Sequence, residues 1–213
     1  MSYFKVLAVT ACVSVAAVSA QAATVLEGVT KAANDASSGP FTIYGGGDKA
    51  LVSDPANAWT TTSINGSEWI WDASKVVLNG TFLGPVTFAV NFSLAGYDLA
   101  TATLSGLLAV DDIVTVTLNG NTIFQDLNAY DGSLANWQGY QSYGTDVASY
   151  FNAGLNTLLF EVTNSGAYPA GLNATVLVEA SPVPLPAALP LLGGAVMGMG
   201  LIGRLRKRKT LQA

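Results

Sequence analysis

The chain has 213 residues, half of them apolar, and a formal net charge of −5. It contains no His, and its single Cys, Cys12, lies close to the N-terminus; a His general base, a His/Cys zinc site and, beyond Cys12, a thiolate nucleophile or a disulfide are therefore excluded. All 14 acidic residues fall between Ala23 and Ala180, where Lys31, Lys49 and Lys75 are the only cations. The resulting local charge of −11 repels phosphate backbones and argues against nucleic acid as a partner.

In chain order, Lys5 precedes the apolar run Val6 to Val18, and Ser19-Ala20-Gln21-Ala22 supplies the small residues of an A-x-A cleavage site. Residues 1–22 are thus predicted to be a signal peptide, cut between Ala22 and Ala23. Val9-Thr10-Ala11-Cys12 is a looser match to a lipobox, the alternative in which Cys12 carries a lipid. Residues 23–180 have the length of one domain. In its first part Thr42-Ile43-Tyr44 reads as a strand, between loop-forming Ser37-Ser38-Gly39-Pro40 and Gly45-Gly46-Gly47. Trp69 and Trp71 share one face of a predicted strand, as core or rim.

From here the pattern is all-β. Val86, Phe88, Val90, Phe92 and Leu94 alternate with smaller or polar residues, the period of a strand with one buried face. Ala100, Ala102 and Leu104, then Val114, Val116 and Leu118, then Leu158, Phe160 and Val162, and last Leu172, Ala174, Val176 and Val178 repeat it. Asn119-Gly120 and Asn79-Gly80 follow such runs and carry the residue types that type I′ hairpins need. Asp111-Asp112 reads as a connection, Phe151 to Asn156 as a turn, and Thr145 to Tyr150 as a single helical turn. About eight strands and no long helix predict a β-sandwich of jelly-roll type.

The segment Gln125 to Asp146 is predicted to be a 22-residue loop, long for a connector. It holds Tyr130, Trp137, Tyr140 and Tyr143 among Asp131, Asn136 and Gln138, a mixture of flat apolar faces and planar amides suited to sugar rings and their hydroxyls. The competing reading has the same aromatics plugging one end of the sandwich. Asp98, Asp111, Asp112, Asp126 and Asp131 offer oxygen ligands for a structural calcium ion, but without the spacing of a calcium loop; turn capping is the alternative role. No other cofactor is indicated, and no catalytic motif occurs.

The tail, residues 181–213, combines Val183-Pro184-Leu185-Pro186-Ala187, an uncharged run of 17 residues from Ala187 to Gly203, and a basic end with Arg204, Arg206, Lys207, Arg208 and Lys209. As a helix the run would reach roughly 25 Å, enough for a thin bilayer, and the basic end would stay on the cytoplasmic side. In that order these features closely resemble the VPLPA form of the PEP-CTERM sorting signal. The resemblance implies an exosortase-type sorting enzyme as partner, passage through the inner membrane, and a final place at the cell surface or in an exopolysaccharide matrix.

A second resemblance rests on Val116-Thr117-Leu118-Asn119-Gly120, on Gly154-Leu155-Asn156-Thr157-Leu158 and on Ala170-Gly171-Leu172-Asn173. Their order is similar to that in galactose-binding-domain-like jelly rolls, which implies a sandwich that often binds carbohydrate. Together these readings predict an exported, non-catalytic surface or matrix protein that binds polysaccharide or neighbouring surface proteins. A glycoside hydrolase or lyase working through paired carboxylates, and a purely structural coat protein, are the alternatives.

Overall fold

A computed structural model describes residues 21–32, 39–52, 59–60, 63–76, 84–127, 136–164 and 170–184. Eleven strands are described: β1 (Ala23–Val29), β2 (Thr42–Ile43), β3 (Lys49–Leu51), β4 (Ile70–Asp72), β5 (Val86–Ser93), β6 (Tyr97–Asp111), β7 (Ile113–Leu118), β8 (Asn121–Asp126), β9 (Gln141–Thr145), β10 (Leu155–Thr163) and β11 (Gly171–Pro182). One sheet runs β3-β4-β11-β6-β9, with β1 also on β11; the other runs β2-β5-β10-β7-β8. Every pairing is antiparallel.

The two sheets meet through the inward rows that the alternation predicts. Phe88, Val90, Val116, Leu118, Leu158, Phe160, Leu172, Ala174 and Val178 are fully buried. Phe160 anchors the centre, with Phe41 and Tyr143 each 5.4 Å away by ring centroid. Ala100 is the exception among the predicted inward residues and is exposed, because β6 begins beyond the edge of the core. The Asn119-Gly120 turn joins β7 to β8 with positive φ at both residues (50° and 85°), as a type I′ turn requires. Asn79-Gly80 lies outside the described residues. Trp69 and Trp71 are both buried but pack separately, Trp69 on Trp59 and Trp71 edge-on to Phe88.

Three strands depart from the sequence expectation. β1 and β3 lie in the N-terminal part, where only Thr42-Ile43-Tyr44 reads as a strand, and β9 lies inside the predicted loop, whose first two residues, Gln125 and Asp126, belong to β8. Gln141-Ser142-Tyr143-Gly144-Thr145 shows no apolar alternation because β9 is a sheet edge, burying one large side chain. The predicted helical turn is present as a short 3-10 turn, Ala148–Tyr150.

The registers give the sandwich two distinct poles. Ala23 pairs with Ala180 and Tyr97 with Pro182, so the chain enters and leaves the fold side by side. This proximal pole also holds Gly96, whose carbonyl accepts from the N–H of Val183 (2.8 Å), and the Asn119-Gly120 and Tyr150 to Leu155 turns. At the opposite, distal pole lie Asp111-Asp112, the end of β8 and the start of β9. Residues 1–20 and 185–213 lie outside the described residues, among which no helix is long and apolar enough to cross a membrane.

Candidate functional site

The predicted sugar-binding residues divide sharply in this fold. Tyr130 and Asp131 lie outside the described residues. Tyr143 is 4% exposed, on β9, facing the core. Its hydroxyl donates to the carbonyl of Thr175 (2.7 Å), and burial raises its pKa. This corrects the expectation that Tyr143 offers its ring to a ligand: opposite it, Gly106 has no side chain, and the tyrosine ring fills that space. Asn136 is also buried, donating to the Asp112 carbonyl (3.0 Å) and accepting from Gln141 Nε2 (3.2 Å), so its amide is committed to closing the distal pole. Trp137 is half-buried against the core, with its carbonyl accepting from the N–H of Thr60 (2.7 Å). Gln138 is exposed.

Tyr140 has a different role. It is half-buried, burial raises its pKa, and it is hydrogen-bonded to the Ser67 side chain and the backbone of Ile64. Those residues belong to a tight turn, Ile64-Asn65-Gly66-Ser67, in which Asn65 and Gly66 have positive φ (52° and 77°). The turn forms a strap. Tyr140 holds it on the side of β9, while on the side of β1 the Glu68 carboxylate accepts from the Ala32 N–H (2.9 Å) and from Lys31 Nζ (3.2 Å). Lys31 also donates to the Gly66 carbonyl. The Ala32 N–H, more than Lys31, holds the Glu68 carboxyl below the usual carboxylate range.

A lowered carboxylate pKa stabilises the fold above the ordinary value, and that contribution disappears as pH falls through the lowered one. The strap is therefore expected to loosen at acid pH. Glu68→Gln should reproduce this at neutral pH, as faster hydrogen exchange at Ala32 with a global cost within about 1 kcal/mol, because the ion pair is partly exposed and screened.

Beneath one edge of the strap lies a groove of about 410 Å³ on the outer face of the larger sheet. Its floor is set by register. Val29 on β1 lies opposite Thr175 on β11, Glu27 opposite Leu177, and Ser142 on β9 opposite Leu107 on β6. Ser105 completes the floor, and Ile64 and Asn65 of the strap form a wall. Among the described residues the lining is therefore apolar surface from Val29, Leu107 and Leu177, hydroxyls from Ser105, Ser142 and Thr175, one amide and a single carboxylate, Glu27, with no cation. Sequence reasoning missed this site because its residues come two or three at a time from four strands and a turn. The available signal was that Val29, Leu107 and Leu177 are apolar on the side of their strands facing away from the core.

Two of the described carboxylates near the distal pole are occupied. Asp111 accepts from Trp59 Nε1 (2.7 Å), and Asp126 accepts from Gln141 Nε2 (2.9 Å). At the proximal pole Asp98 caps the N–H of Ala100 (3.0 Å). Among the described residues no three His, Cys, Asp or Glu side chains come together in a way that could hold a metal ion. Of the five aspartates offered for calcium, Asp131 lies outside the described residues.

No protein-family model and no curated protein sequence matches this chain. Among solved structures it is similar to a family 35 carbohydrate-binding module from an environmental isolate, at 16% identity and TM-score 0.34, covering 65% of this chain and 91% of that one. It is similar also to the K3 cleaved adhesin domain of Lys-gingipain from Porphyromonas gingivalis, at 14% identity and TM-score 0.41, covering 76% and 99%. A third likeness, at 16% identity and TM-score 0.34, is to an exo-β-1,3-galactanase from Phanerochaete chrysosporium solved with β-1,3-galactotriose; it covers 72% of this chain and 29% of that enzyme. None of these carries a ligand or a reaction over to this chain.

Proposed function

We propose that this chain is an exported, non-catalytic surface or matrix protein whose sandwich binds a neutral polysaccharide in the groove under the strap. The observation that carries this reading is the groove's lining, which among the described residues is apolar surface and hydroxyls beside one carboxylate and no cation. Such a lining favours sugar C–H faces and hydroxyl pairs, and it gives an anionic polymer nothing to pair with. Among the described residues the groove holds Glu27 as its one carboxylate, whereas hydrolysis through paired carboxylates needs two at roughly 5–10 Å. Binding without turnover therefore suits the site better than catalysis.

Export rests on the signal peptide read over 1–22 and on the tail. Val183 and Pro184 of the sorting motif continue directly from β11; Leu185, Pro186 and Ala187, the span 187–203 and the basic residues Arg204, Arg206, Lys207, Arg208 and Lys209 lie outside the described residues. Cleavage between Ala22 and Ala23 would leave β1 intact, since it begins at Ala23. In this reading an exosortase-type enzyme handles the tail at the inner membrane, and the domain ends at the cell surface or outside it.

The test is affinity electrophoresis of residues 23–184 in gels containing neutral or anionic polysaccharide. Retardation by a neutral polymer, lost in Ser142→Arg and retained in Gln138→Ala, is the expected result. Release of reducing ends would replace this reading with the hydrolase, and absence of retardation by any polysaccharide would leave a protein partner or a structural coat.

A further inference from the structure

We infer that the proximal pole, hereafter the tether pole, is a docking surface for the bilayer itself, holding the sandwich upright with its distal pole directed outward; this rests on the reading of 187–203 as a membrane span. Little slack separates the fold from that span. Val183, the first residue of the motif, is still bonded to Gly96 (2.8 Å), and Pro182 is still paired with Tyr97. From Pro184 to Ala187, where the apolar run starts, there are only three peptide steps, at most about 10 Å of extended chain. The domain therefore cannot stand off from the membrane, and the face that meets the headgroups is the one surrounding Pro184.

That face is suited to lipid contact. Val147 (43% exposed), Leu155 (67%) and Val183 (54%) present large apolar side chains there. Leu155 opens β10 opposite Ser93, and Val147 precedes the 3-10 turn whose Tyr150 carbonyl is bonded by Asn119. Among the described residues the surrounding groups are neutral amides, Asn119, Asn121 and Asn152, with Asp98, Asp146 and Glu179 as the acidic members. Lys31, Lys49 and Lys75 are held elsewhere, by Gly66, Phe41 and Pro85 carbonyls. Shallow insertion of apolar side chains among uncharged headgroups matches this composition, and attraction to anionic lipid does not. The N-terminal junction leaves the same pole, because Ala23 pairs with Ala180. An uncleaved signal peptide would place its anchor beside the first.

The test uses the full chain carrying Cys12→Ser and one new cysteine, either Leu155→Cys at the tether pole or Leu127→Cys at the distal pole. Both positions are exposed, so neither substitution disturbs the core. Each is labelled with an environment-sensitive fluorophore and reconstituted into phosphatidylcholine vesicles bearing a headgroup quencher. Loss of most emission at Leu155→Cys with emission retained at Leu127→Cys is the expected result. Equal quenching at the two sites, or stronger quenching at Leu127→Cys, overturns the docking surface while leaving the tether in place. Failure of the chain to float with the vesicles overturns the tether and the docking surface together.

Discussion

Gly106→Val is expected to destabilise the domain by roughly 3 kcal/mol or more, enough to remove much of the stability of an ordinary domain. A Cβ at this position would fall on the Thr175 carbonyl oxygen and within 2.5 and 2.6 Å of two ring carbons of Tyr143. Neither obstacle can retreat. Tyr143 is buried between the sheets against Phe160, and Thr175 is backbone of β11. The ladder between β6 and β11 is also specialised here. Paired positions pass from Ala174 with Leu108 to Leu177 with Ser105, and between them Leu107 N–H bonds the Thr175 hydroxyl (3.1 Å) while the Thr175 carbonyl takes the Tyr143 hydroxyl. A side chain at Gly106 would break the tyrosine's seat and, through Thr175, deform the groove floor on the opposite face. Urea unfolding checks the prediction; a midpoint equal to that of the parent chain would contradict it.

The second large effect is expected at Asn156→Ala, a loss of roughly 3 kcal/mol from unpartnered polar groups. Asn156 is fully buried, and its amide is used on both sides. Its oxygen accepts from the Asn152 N–H (2.7 Å) and from Asn119 Nδ2 (2.8 Å), and its nitrogen donates to the Asn152 and Gly154 carbonyls (both 2.9 Å). Asn119 completes the tie by accepting from the Thr157 N–H (2.9 Å) and donating to the Tyr150 carbonyl. Asn156→Asp should also be destabilising, because it sets carboxylate oxygen against two carbonyls. Thermal unfolding of both variants checks this. If Asn156→Ala melts with the parent, the network contributes nothing and the two asparagines are not what closes this pole.

That network explains part of what the sequence made legible. The Leu118-Asn119-Gly120 and Gly154-Leu155-Asn156 phrases stand far apart in the chain, and in the fold their asparagines bond each other. Their recurrence as a pair of phrases thus has a structural cause, independent of any ligand. The inward rows of β5, β7, β10 and β11 were legible for a similar reason: β7 and β10 alternate strictly between a buried and a more exposed side, and β5 and β11 do so except at Ala89, Gly171 and Asn173, so period two survives in the sequence. β1 and β9 were not. Ala23-Thr-Val-Leu-Glu-Gly-Val29 shifts register between Thr24 and Leu26, which breaks its alternation, and β9 buries only Tyr143.

The candidate site was legible only in fragments. Aromatic and amide residues between Gln125 and Asp146 suggested a ligand loop, but composition cannot distinguish a ring facing solvent from one facing Gly106. Tyr143 and Asn136 went inward, and Tyr140 became a support for the strap. The groove itself depends on registers between β1, β11, β6 and β9, and on a turn held over them by Glu68 and Tyr140. Those are long-range relations that local patterning does not encode.

The most direct measurement of the central claim is amide hydrogen exchange of residues 23–184 with and without a neutral polysaccharide that retards it. The account predicts slowed exchange confined to the groove side: the Ile64 to Ser67 strap, β1 around Glu27 to Val29, and β9 around Ser142. Protection appearing instead at Gln138 and the rest of the distal pole, with the strap and β1 unchanged, would contradict it.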